Sequence, residues 1–266
     1  MVKGLYTAWT GMLNEQNRMD ILTNNLANSN TVGYKAEGTT VHPFEAQLAL
    51  KIKDNSTARY ADELGDINAG VMIGENYVDY SQGSFQITDN ATDLALSGEG
   101  FFAIEFLDKN GNASIKYTRD GQFKVTSDGY LVTADGDHVL NMNGAMNSQL
   151  GQNNYVRVDP EQDITIDSFG NIYQNNELVA QVGVVNFADY DYLERYGENM
   201  YNLLDGGQVI ASEAIVTQGA LEMSNVETVK EMVELITITR AYESNQKVIQ
   251  TMDSMIEIAV SQVGKV

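Results

Sequence analysis

The last forty residues of the chain carry the feature that most limits how it can fold. Apolar side chains recur there at steps of three and four residues for about four heptads, which is the spacing of a coiled-coil seam. A helix over residues 225–263 would be roughly 60 Å long at about 1.5 Å per residue, too long for a compact domain of this size to cover. The predicted seam positions are Leu235, Ile238, Tyr242, Asn245, Ile249, Met252, Ile256, Ala259 and Val263.

A local signal predicts where this helix begins, and one residue predicts its register. Ser224 followed three positions later by Glu227 fits a capping box, in which the two side chains satisfy the first free backbone N–H groups.

Asn245 is the sole polar residue of the predicted seam. Because a lone amide in an apolar seam favours one alignment over the others, we predict that Asn245 sets the register of the packed helices.

The first thirty residues also have helical spacing. Their predicted apolar stripe, which Gly11 weakens, consists of Leu5, Trp9, Met12, Gln16, Met19, Leu22 and Leu26. A terminal helix with a bare apolar stripe must bury that stripe, and the simplest partner is the other terminal helix. Two helices packed only on each other would still leave part of their apolar surface exposed, so we expect further chains to pack against them.

The middle of the chain has the pattern of β-structure. Its segments are rich in β-branched and aromatic residues, and turn pairs such as Asp128-Gly129 and Asp135-Gly136 separate them at intervals of about ten residues. This spacing indicates an antiparallel sandwich or barrel-like domain. The predicted strands are FFAIEF (101–106), IKYT (115–118), QFKVT (122–126), GYLVT (129–133), DITI (163–166) and LVAQVGVVNF (178–187).

The predicted fold class is mixed α and β. N- and C-terminal helices form a coiled-coil-like domain, and an antiparallel β-rich domain is inserted between them. We assign residues 1–35 together with 222–266 to the terminal helical domain and 76–221 to the β-rich domain. Residues 36–75 fit neither pattern, so we predict an extended connecting segment there, with a short helix near residues 44–52.

Charge and composition exclude several classes of function. The chain has 37 acidic and 16 basic residues, and residues 62–220 alone hold 25 acids and six bases. This balance argues against binding to nucleic acid or to an anionic membrane surface, because both need clustered Lys and Arg. The chain has no cysteine and two histidines that lie far apart, which argues against disulfides and ordinary metal centres. We expect no membrane insertion and no cleaved signal peptide, since the sequence carries neither pattern.

Two short segments could carry chemistry, but turns explain both better. DKNGN at 108–112 begins like a calcium loop, yet its glycine comes one place too early and Arg119 occupies the position where an EF-hand has Glu. Asp135, Asp137 and His138 could form an acid–base cluster, although a turn with solvated acids fits the same residues. We therefore predict no catalytic residue, no metal site and no cofactor.

Four separate motifs, in order along nearly the whole chain, resemble one known family. TNNLANSNTVGYK at 23–35 resembles the N-terminal hallmark of the bacterial flagellar rod and hook proteins, NNLAN-x-NT-x-G-[YF]-K. The resemblance continues in QGSFQITDNATDLALSGEGFFAI at 82–104 and in YTRDGQF at 117–123 with the following GYLVTADG. It ends in QGALEMSNVETVKEMVELITITRAYESNQKVIQTMD at 218–253.

This resemblance implies a structural axial protein without cofactor or reaction. The terminal helices would form the inner coiled-coil layer of a helical tube, with the β domain outside. The partners implied are further copies of the chain, other rod proteins, the hook protein and the flagellar type III export apparatus. The location implied is the flagellar basal body, outside the cytoplasm, after export without a cleaved signal peptide. The chain length resembles a rod protein, of either the distal-rod or the proximal-rod type, more than the longer hook protein.

Other functions remain open at this point. Within the family, the chain could be the hook protein or another hook–basal-body component. In a different class, it could be a secreted adhesion module with an acidic β domain on a helical stalk. An enzyme would need two facing carboxylates about 5 to 9 Å apart in a cleft.

The asparagines of the first motif have two interpretations. Asn24 and Asn28 lie one helical turn apart beside Leu26, so their amides could bond equivalent amides of neighbouring copies and set register. Alternatively, Asn28 and Asn30 simply end the helix, and Gly33 permits the turn that follows.

The two stripes and the amides together give the candidate assembly interface. Because the terminal segments have no partner before assembly, we predict that they are largely disordered in a free copy. The candidate interface residues are Leu5, Trp9, Met12, Met19, Leu22, Asn24, Asn25, Leu26, Asn28, Asn30, Leu235, Ile238, Tyr242, Asn245, Ile249, Met252, Ile256, Ala259 and Val263.

Overall fold

The computed structural model describes residues 2–52, 61–109, 111–147, 150–197 and 199–263. An N-terminal helix, a β-rich middle and a C-terminal helix follow one another along the chain, which confirms a mixed α and β fold. The chain divides into two compact units. Unit 1 comprises Met1–Ala27, Ala36–Asp79 and Val226–Val266, and unit 2 comprises Asn28–Lys35 and Tyr80–Asn225.

The helices are α1 (Val2–Ala27), α2 (Met142–Asn147) and α3 (Thr228–Ile258). A π-helical turn, Ala259–Val263, follows α3. The strands are β1 (Glu37–Pro43), β2 (Gln47–Ile52), β3 (Ala61–Ile67), β4 (Val71–Val78), β5 (Phe85–Ile87), β6 (Leu94–Ser97), β7 (Phe101–Leu107), β8 (Ala113–Thr118), β9 (Lys124–Val125), β10 (Leu131–Val132), β11 (His138–Val139), β12 (Thr165–Ile166), β13 (Asn171–Gln174), β14 (Glu177–Gln181), β15 (Val184–Phe187), β16 (Leu193–Gly197), β17 (Met200–Leu203), β18 (Val209–Ala211), β19 (Ile215–Gln218) and β20 (Ala220–Glu222).

In unit 1, α1 and α3 pack side by side in opposite directions. A Cβ atom added to Gly4 would lie 2.5 Å from Met252 Cε, and one added to Gly11 would lie 3.0 Å from the Asn245 amide nitrogen. Residue numbers therefore rise along α1 as they fall along α3. Both segments are helical in this structure, and each buries one face against the other. That they are largely disordered in a free copy stays a prediction.

The remaining part of unit 1 is β-structure. Strand β1 pairs with β4, and β2 pairs with β3, both antiparallel. The short helix predicted near residues 44–52 is therefore wrong, because Gln47–Ile52 is a strand. The segment QLALKI alternates apolar residues with others at the period of a strand, and that alternation rather than a helical spacing describes it.

Unit 2 is built around a nine-stranded antiparallel sheet. Its strand order is β16-β17-β8-β7-β11-β10-β9, and β15 joins it by pairing with both β7 and β18. Strands β12, β13 and β14 form a second sheet, while β6 pairs with β19 and β5 with β20. Side chains along these strands alternate inward and outward, and those that point inward form an apolar core that includes Leu94, Phe102, Ile104, Phe123 and Val139.

The predicted turn at 108–112 joins β7 to β8. The backbone N–H of Asp108 donates to the carbonyl oxygen of Asn112 at 2.9 Å, and Gly111 N–H donates to the Asp108 carbonyl at 2.8 Å. Asn110, which the calcium interpretation also needs, lies outside the described residues. Among the residues that the structure describes, no three His, Asp or Glu side chains come together in a way that could hold a metal ion.

None of the helices in the described ranges has a stretch long and apolar enough to cross a membrane.

Candidate assembly surfaces

The face of α1 that packs on α3 differs from the predicted apolar stripe. It follows a heptad spacing of small and polar residues, displaced by about one position from the stripe of large apolar residues. Ala8 and Leu22 are buried on it, and Arg18 donates to Glu234 of α3 at 2.8 Å. The residues at this spacing are Gly4, Ala8, Gly11, Glu15, Arg18, Leu22 and Asn25.

Part of the predicted α1 stripe consequently points away from α3. Trp9 is 54% exposed, and Tyr6 and Leu13 beside it are similarly exposed. Leu5, Met12, Met19 and Leu26 are half-buried, and only Leu22 of the predicted apolar residues is buried. In this copy α1 thus presents a row of large apolar side chains that the described residues do not cover.

The seam predicted on α3 lies toward α1. Ile238 is 3% exposed, and the seam positions that are half-buried are Leu235, Tyr242, Asn245, Ile249, Met252 and Ala259. Ile256 is exposed, and the side chain of Val263 lies outside the described part.

The opposite face of α3 carries exposed apolar residues that the prediction did not include. Val229 is 73% exposed, and Met232, Val233 and Ile236 follow it on the same side of the helix. A search for one apolar seam per helix missed this face. The signal that could have found it is the second set of apolar residues at helical spacing on the far side of α3.

Helix α3 begins later than the capping box predicts. Its first residue is Thr228, and within the described chain the side chain of Glu227 makes no capping hydrogen bond. The capping box of Ser224 and Glu227 is therefore wrong. The N–H of Met223 donates to the carbonyl oxygen of Ser84 at 2.8 Å, which holds the chain extended up to the position where the box would start the helix.

Asn245 packs against Gly11, and this contact explains why α1 has a glycine opposite the one amide of the α3 seam. Gly11, a weak point for an isolated helix, leaves the space that the Asn245 amide occupies, because an added Cβ would lie only 3.0 Å from its nitrogen. That Asn245 sets the register between helices stays a prediction.

Asn25 makes an internal contact rather than facing outward. Its side chain is 1% exposed, its Nδ2 donates to the Glu37 carbonyl at 2.8 Å, and its Oδ1 accepts the Glu37 N–H at 3.0 Å. The same side chain hydrogen-bonds the carboxylate of Glu231 on α3, whose pKa is raised chiefly by burial. Asn25 therefore links α1 to β1 and α3 inside unit 1. Its buried side chain is not part of the exposed surface that a neighbouring subunit could contact.

Asn28 lies in the turn that follows α1. Its carbonyl oxygen accepts the Thr31 N–H at 3.1 Å, and its Oδ1 accepts the Thr31 hydroxyl at 3.2 Å. Gly33 has a φ of +68°, and its N–H donates to the Glu222 carbonyl at 2.7 Å. These contacts match the interpretation in which Asn28 ends the helix, while Asn24 and Asn30 are exposed.

A buried ionic cluster in unit 2 was not predicted. Lys35 Nζ lies 2.6 Å from Glu222 Oε1, and Arg119 Nη1 lies 2.9 Å from Glu222 Oε2, with all three side chains at most 3% exposed. Backbone groups complete the site, because Lys35 Nζ donates to the Ser81 carbonyl and Gly83 N–H donates to Glu222 Oε1. Glu222 thus holds together segments that lie far apart in the sequence.

The residues of this cluster that bind the Glu222 carboxylate, and Glu222 itself, stand in the four motifs that carried the family resemblance. Lys35 closes the first motif, Arg119 stands in the third, and Glu222 stands near the start of the last, while Gly83, which supplies a backbone N–H, is the second residue of the second motif. A sequence signal was therefore present, because Lys35, Arg119 and Glu222 each stand in a different motif.

Family models match the chain in three segments. Residues 5–35 match the model described as flagella basal body rod protein, and residues 95–186 match the flagellar hook protein FlgE/F/G D1 domain. Residues 217–262 match the C-terminal model of the flagellar basal body rod FlgEFG proteins.

Curated relatives match over almost their entire length. The flagellar basal-body rod protein FlgG of Bacillus subtilis is 33% identical, over 98% of this chain and 99% of the relative. The chain belongs to the flagellar basal-body rod protein family. FlgF of Caulobacter vibrioides, another rod protein, is 31% identical with both chains covered completely. The flagellar hook-basal body complex protein FlhO of Bacillus subtilis is 30% identical, again over both complete chains.

Membership confirms the resemblance drawn from the four motifs and makes the chain a structural subunit of the flagellar basal-body rod. It also gives the ionic cluster a broader setting. Lys35, Arg119 and Glu222 come one each from the three matched segments of this rod-family chain, so the cluster is where those segments meet within unit 2.

Proposed function

We propose that this rod subunit polymerises through α1 and α3 into a helical tube that transmits motor torque to the hook. Its partners in the tube are further copies of the chain, other rod proteins and the hook protein. The observation that carries this proposal is the exposed apolar surface on both long helices, at Trp9 on α1 and at Val229, Val233 and Ile236 on α3.

The free energy available from covering these surfaces favours assembly. Burying one large apolar side chain that was exposed contributes about 1.5–3 kcal/mol. Several such side chains on each helix therefore offset the loss of translational and rotational freedom on association, which costs roughly 4–15 kcal/mol. Because every subunit of a tube presents the same surfaces, the gain recurs at each added copy.

The contact between α1 and α3 has, in this proposal, the character of a coiled coil. The heptad spacing on α1 and the matching seam on α3 support it, and Asn245 against Gly11 fixes the alignment. Asn24 and Asn30 are exposed, and in this proposal their amides contact neighbouring subunits.

The route to the rod follows from the same proposal. A basal-body rod lies outside the cytoplasm, and we propose that the chain reaches it through the flagellar type III export apparatus without a cleaved signal peptide. The chain performs no reaction of its own, which the structural role of the family supports.

Sedimentation of the purified full-length chain at rising concentration tests the polymerisation. We expect the wild type to pass from monomer to large assemblies that electron microscopy shows as tubes. Trp9→Asp combined with Val233→Asp should keep the chain monomeric, because assembly would bury each new carboxylate without a partner. A control is Phe169→Asp in unit 2, which changes an aromatic residue that is 74% exposed, against 54% for Trp9, and should assemble as the wild type does. Assembly of the Trp9/Val233 variant at wild-type concentrations would refute the proposal.

A second candidate, another hook–basal-body component of the same family, is favoured by the match to FlhO. Imaging a strain that lacks the chain separates the two. Loss of the rod, and with it of hook and filament, is the result for a rod subunit. Complete rods with a defect confined to the hook would instead support the second candidate.

A further inference from the structure

Glu231 lies where three elements of unit 1 meet. It stands in the first turn of α3, where its N–H donates to the Glu227 carbonyl oxygen at 3.0 Å. Its carboxylate accepts a hydrogen bond from the side chain of Asn25 on α1. The Asn25 amide is in turn bonded through both its oxygen and its nitrogen to the Glu37 backbone of β1. One carboxylate therefore completes a chain of contacts that joins α3, α1 and β1.

The two oxygens of the Glu231 carboxylate are not equally satisfied. Oε2 has almost no accessible surface and no hydrogen-bond partner among the described residues, so the bond from Asn25 goes to Oε1. A buried acceptor without a donor costs free energy, and it costs more when it carries a charge. The geometry therefore favours a carboxyl group that has taken up a proton.

The side chains around Glu231 do not offer its charge a dedicated cation. They line a cavity of about 240 Å³ within unit 1. The guanidinium of Arg18 is already bonded to Glu15 at 3.3 Å and to Glu234 at 2.8 Å. Lys230, the neighbour of Glu231 in the sequence, is exposed. The titratable side chains that face this cavity beside Glu231 are Arg18, Glu37, Tyr77, Asp79, Lys230 and Glu234.

The balance of these influences favours the protonated acid in the folded chain. Burial is the main cause that raises the pKa of Glu231; the bond from Asn25 and the charge of Lys230 oppose it, and the charge of Glu234 adds to it. The start of a helix also favours a negative charge, which opposes the effect of burial. Since the pKa is raised on folding, the ionised carboxylate costs stability above that pKa, and the cost disappears as the pH falls through it.

We propose that Glu231 is a pH switch of unit 1. In the protonated form the carboxyl group is neutral, keeps its bond with Asn25 and stabilises the junction of α1, β1 and α3. Loss of the proton leaves a charge beside an unsatisfied buried oxygen and weakens the contact between the start of α3 and α1. The switch acts within one copy, so it does not depend on the proposed polymerisation.

Urea unfolding of three full-length chains, at a concentration where they are monomeric, tests the switch. Glu231→Gln removes the charge and keeps an oxygen that accepts the bond from Asn25. Glu243→Gln, the matched control, removes an exposed acid of the same helix. The helical circular dichroism signal follows unit 1, because both long helices belong to it.

We expect the urea midpoint of Glu231→Gln to lie above that of the wild type at about pH 8, where Glu231 is ionised. The difference should shrink as the pH falls toward about 5, because the wild type then takes up the proton. The midpoint of Glu243→Gln should follow the wild type throughout. A Glu231→Gln chain that is less stable than the wild type at about pH 8, or that differs from it equally at both pH values, would overturn the inference.

A direct titration of the wild-type chain gives a check that does not depend on how the variant folds. Carbon-13 NMR of the glutamate carboxyl groups follows the protonation of Glu231. The carboxyl group should take up its proton at a higher pH in the folded chain than in the same chain unfolded in urea. An equal or lower titration midpoint in the folded chain would contradict the switch.

Discussion

At the scale of single residues, Glu222 has the largest consequence in unit 2. One carboxylate, 1% exposed, accepts hydrogen bonds from Lys35, Arg119 and the Gly83 backbone. The residues of the two ion pairs lie 187 and 103 positions apart in the sequence. Because nothing local in the sequence links them, the motifs could be predicted but not the cluster they form.

Removing the charge of Glu222 should destabilise unit 2 strongly. Glu222→Gln leaves Lys35 and Arg119 buried without a counter-charge, and breaking a buried ion pair in this way costs about 3–5 kcal/mol. The free energy of unfolding from urea titration measures this. Glu177→Gln, an exposed control, should change it by less than about 0.5 kcal/mol. Equal stabilities of the two variants would show that the cluster does not hold the unit together.

Asp120 gives unit 2 a specific pH dependence. Burial, with help from the charges of Asp135 and Asp93, raises its pKa from 3.8 to about 6. Since the folded state then prefers the protonated acid, the ionised carboxylate costs stability. That cost is absent below about pH 4 and complete above about pH 6, where two pKa units correspond to roughly 3 kcal/mol.

Asp120→Asn should remove this cost while keeping an oxygen that accepts the Gln122 N–H. We therefore expect the variant to be more stable than the wild type at pH 7, and the difference to shrink as the pH falls toward 4. Urea unfolding of both chains at the two pH values measures it. A difference that is the same at both pH values would contradict the assigned pKa.

At the scale of elements, the antiparallel packing of α1 on α3 shows what a sequence pattern can and cannot reveal. The α3 seam was predictable because large apolar residues such as Ile238 mark it. The face of α1 that contacts α3 lies one position away from the predicted stripe. Gly4, Ala8 and Gly11 add little to a hydrophobic pattern, although their small size lets the two helices approach closely. The prediction of a helix at strand β2 is wrong because its short apolar run fits the period of a helix as well as that of a strand, and only the pairing partner decides between them.

Gly11 and Asn245 should be energetically coupled. Gly11→Ala alone places a methyl group 3.0 Å from the Asn245 amide, which opposes the gain of about 1 kcal/mol expected for Ala over Gly in a helix. In an Asn245→Ala background the methyl group has room, and the full gain should appear. A double-mutant cycle on the free energy of unfolding should therefore give a coupling of at least about 0.5 kcal/mol. Additive effects would mean that the two residues do not share this contact.

At the scale of the whole molecule, the family and the fold class could be predicted from the sequence. Which apolar residues are buried within one copy and which stay exposed could not. A stripe that is buried inside one copy and a stripe left for a neighbour look alike as sequence patterns. Trp9 and Ile238 were both predicted as interface, yet one is 54% and the other 3% exposed. Only the packing of α1 on α3 separates the surface used within a chain from the surface available between chains.

The emission of Trp9 tests the central claim, that assembly covers the exposed helix faces, more directly than any other measurement. Trp9 is the single tryptophan of the chain, so no other residue contributes to the signal. We expect monomer emission typical of a solvated indole that iodide quenches readily. On assembly the emission should shift to the blue and become protected from iodide, because the neighbouring subunit covers the ring. Assemblies in which iodide quenches Trp9 as strongly as in the monomer would contradict the account.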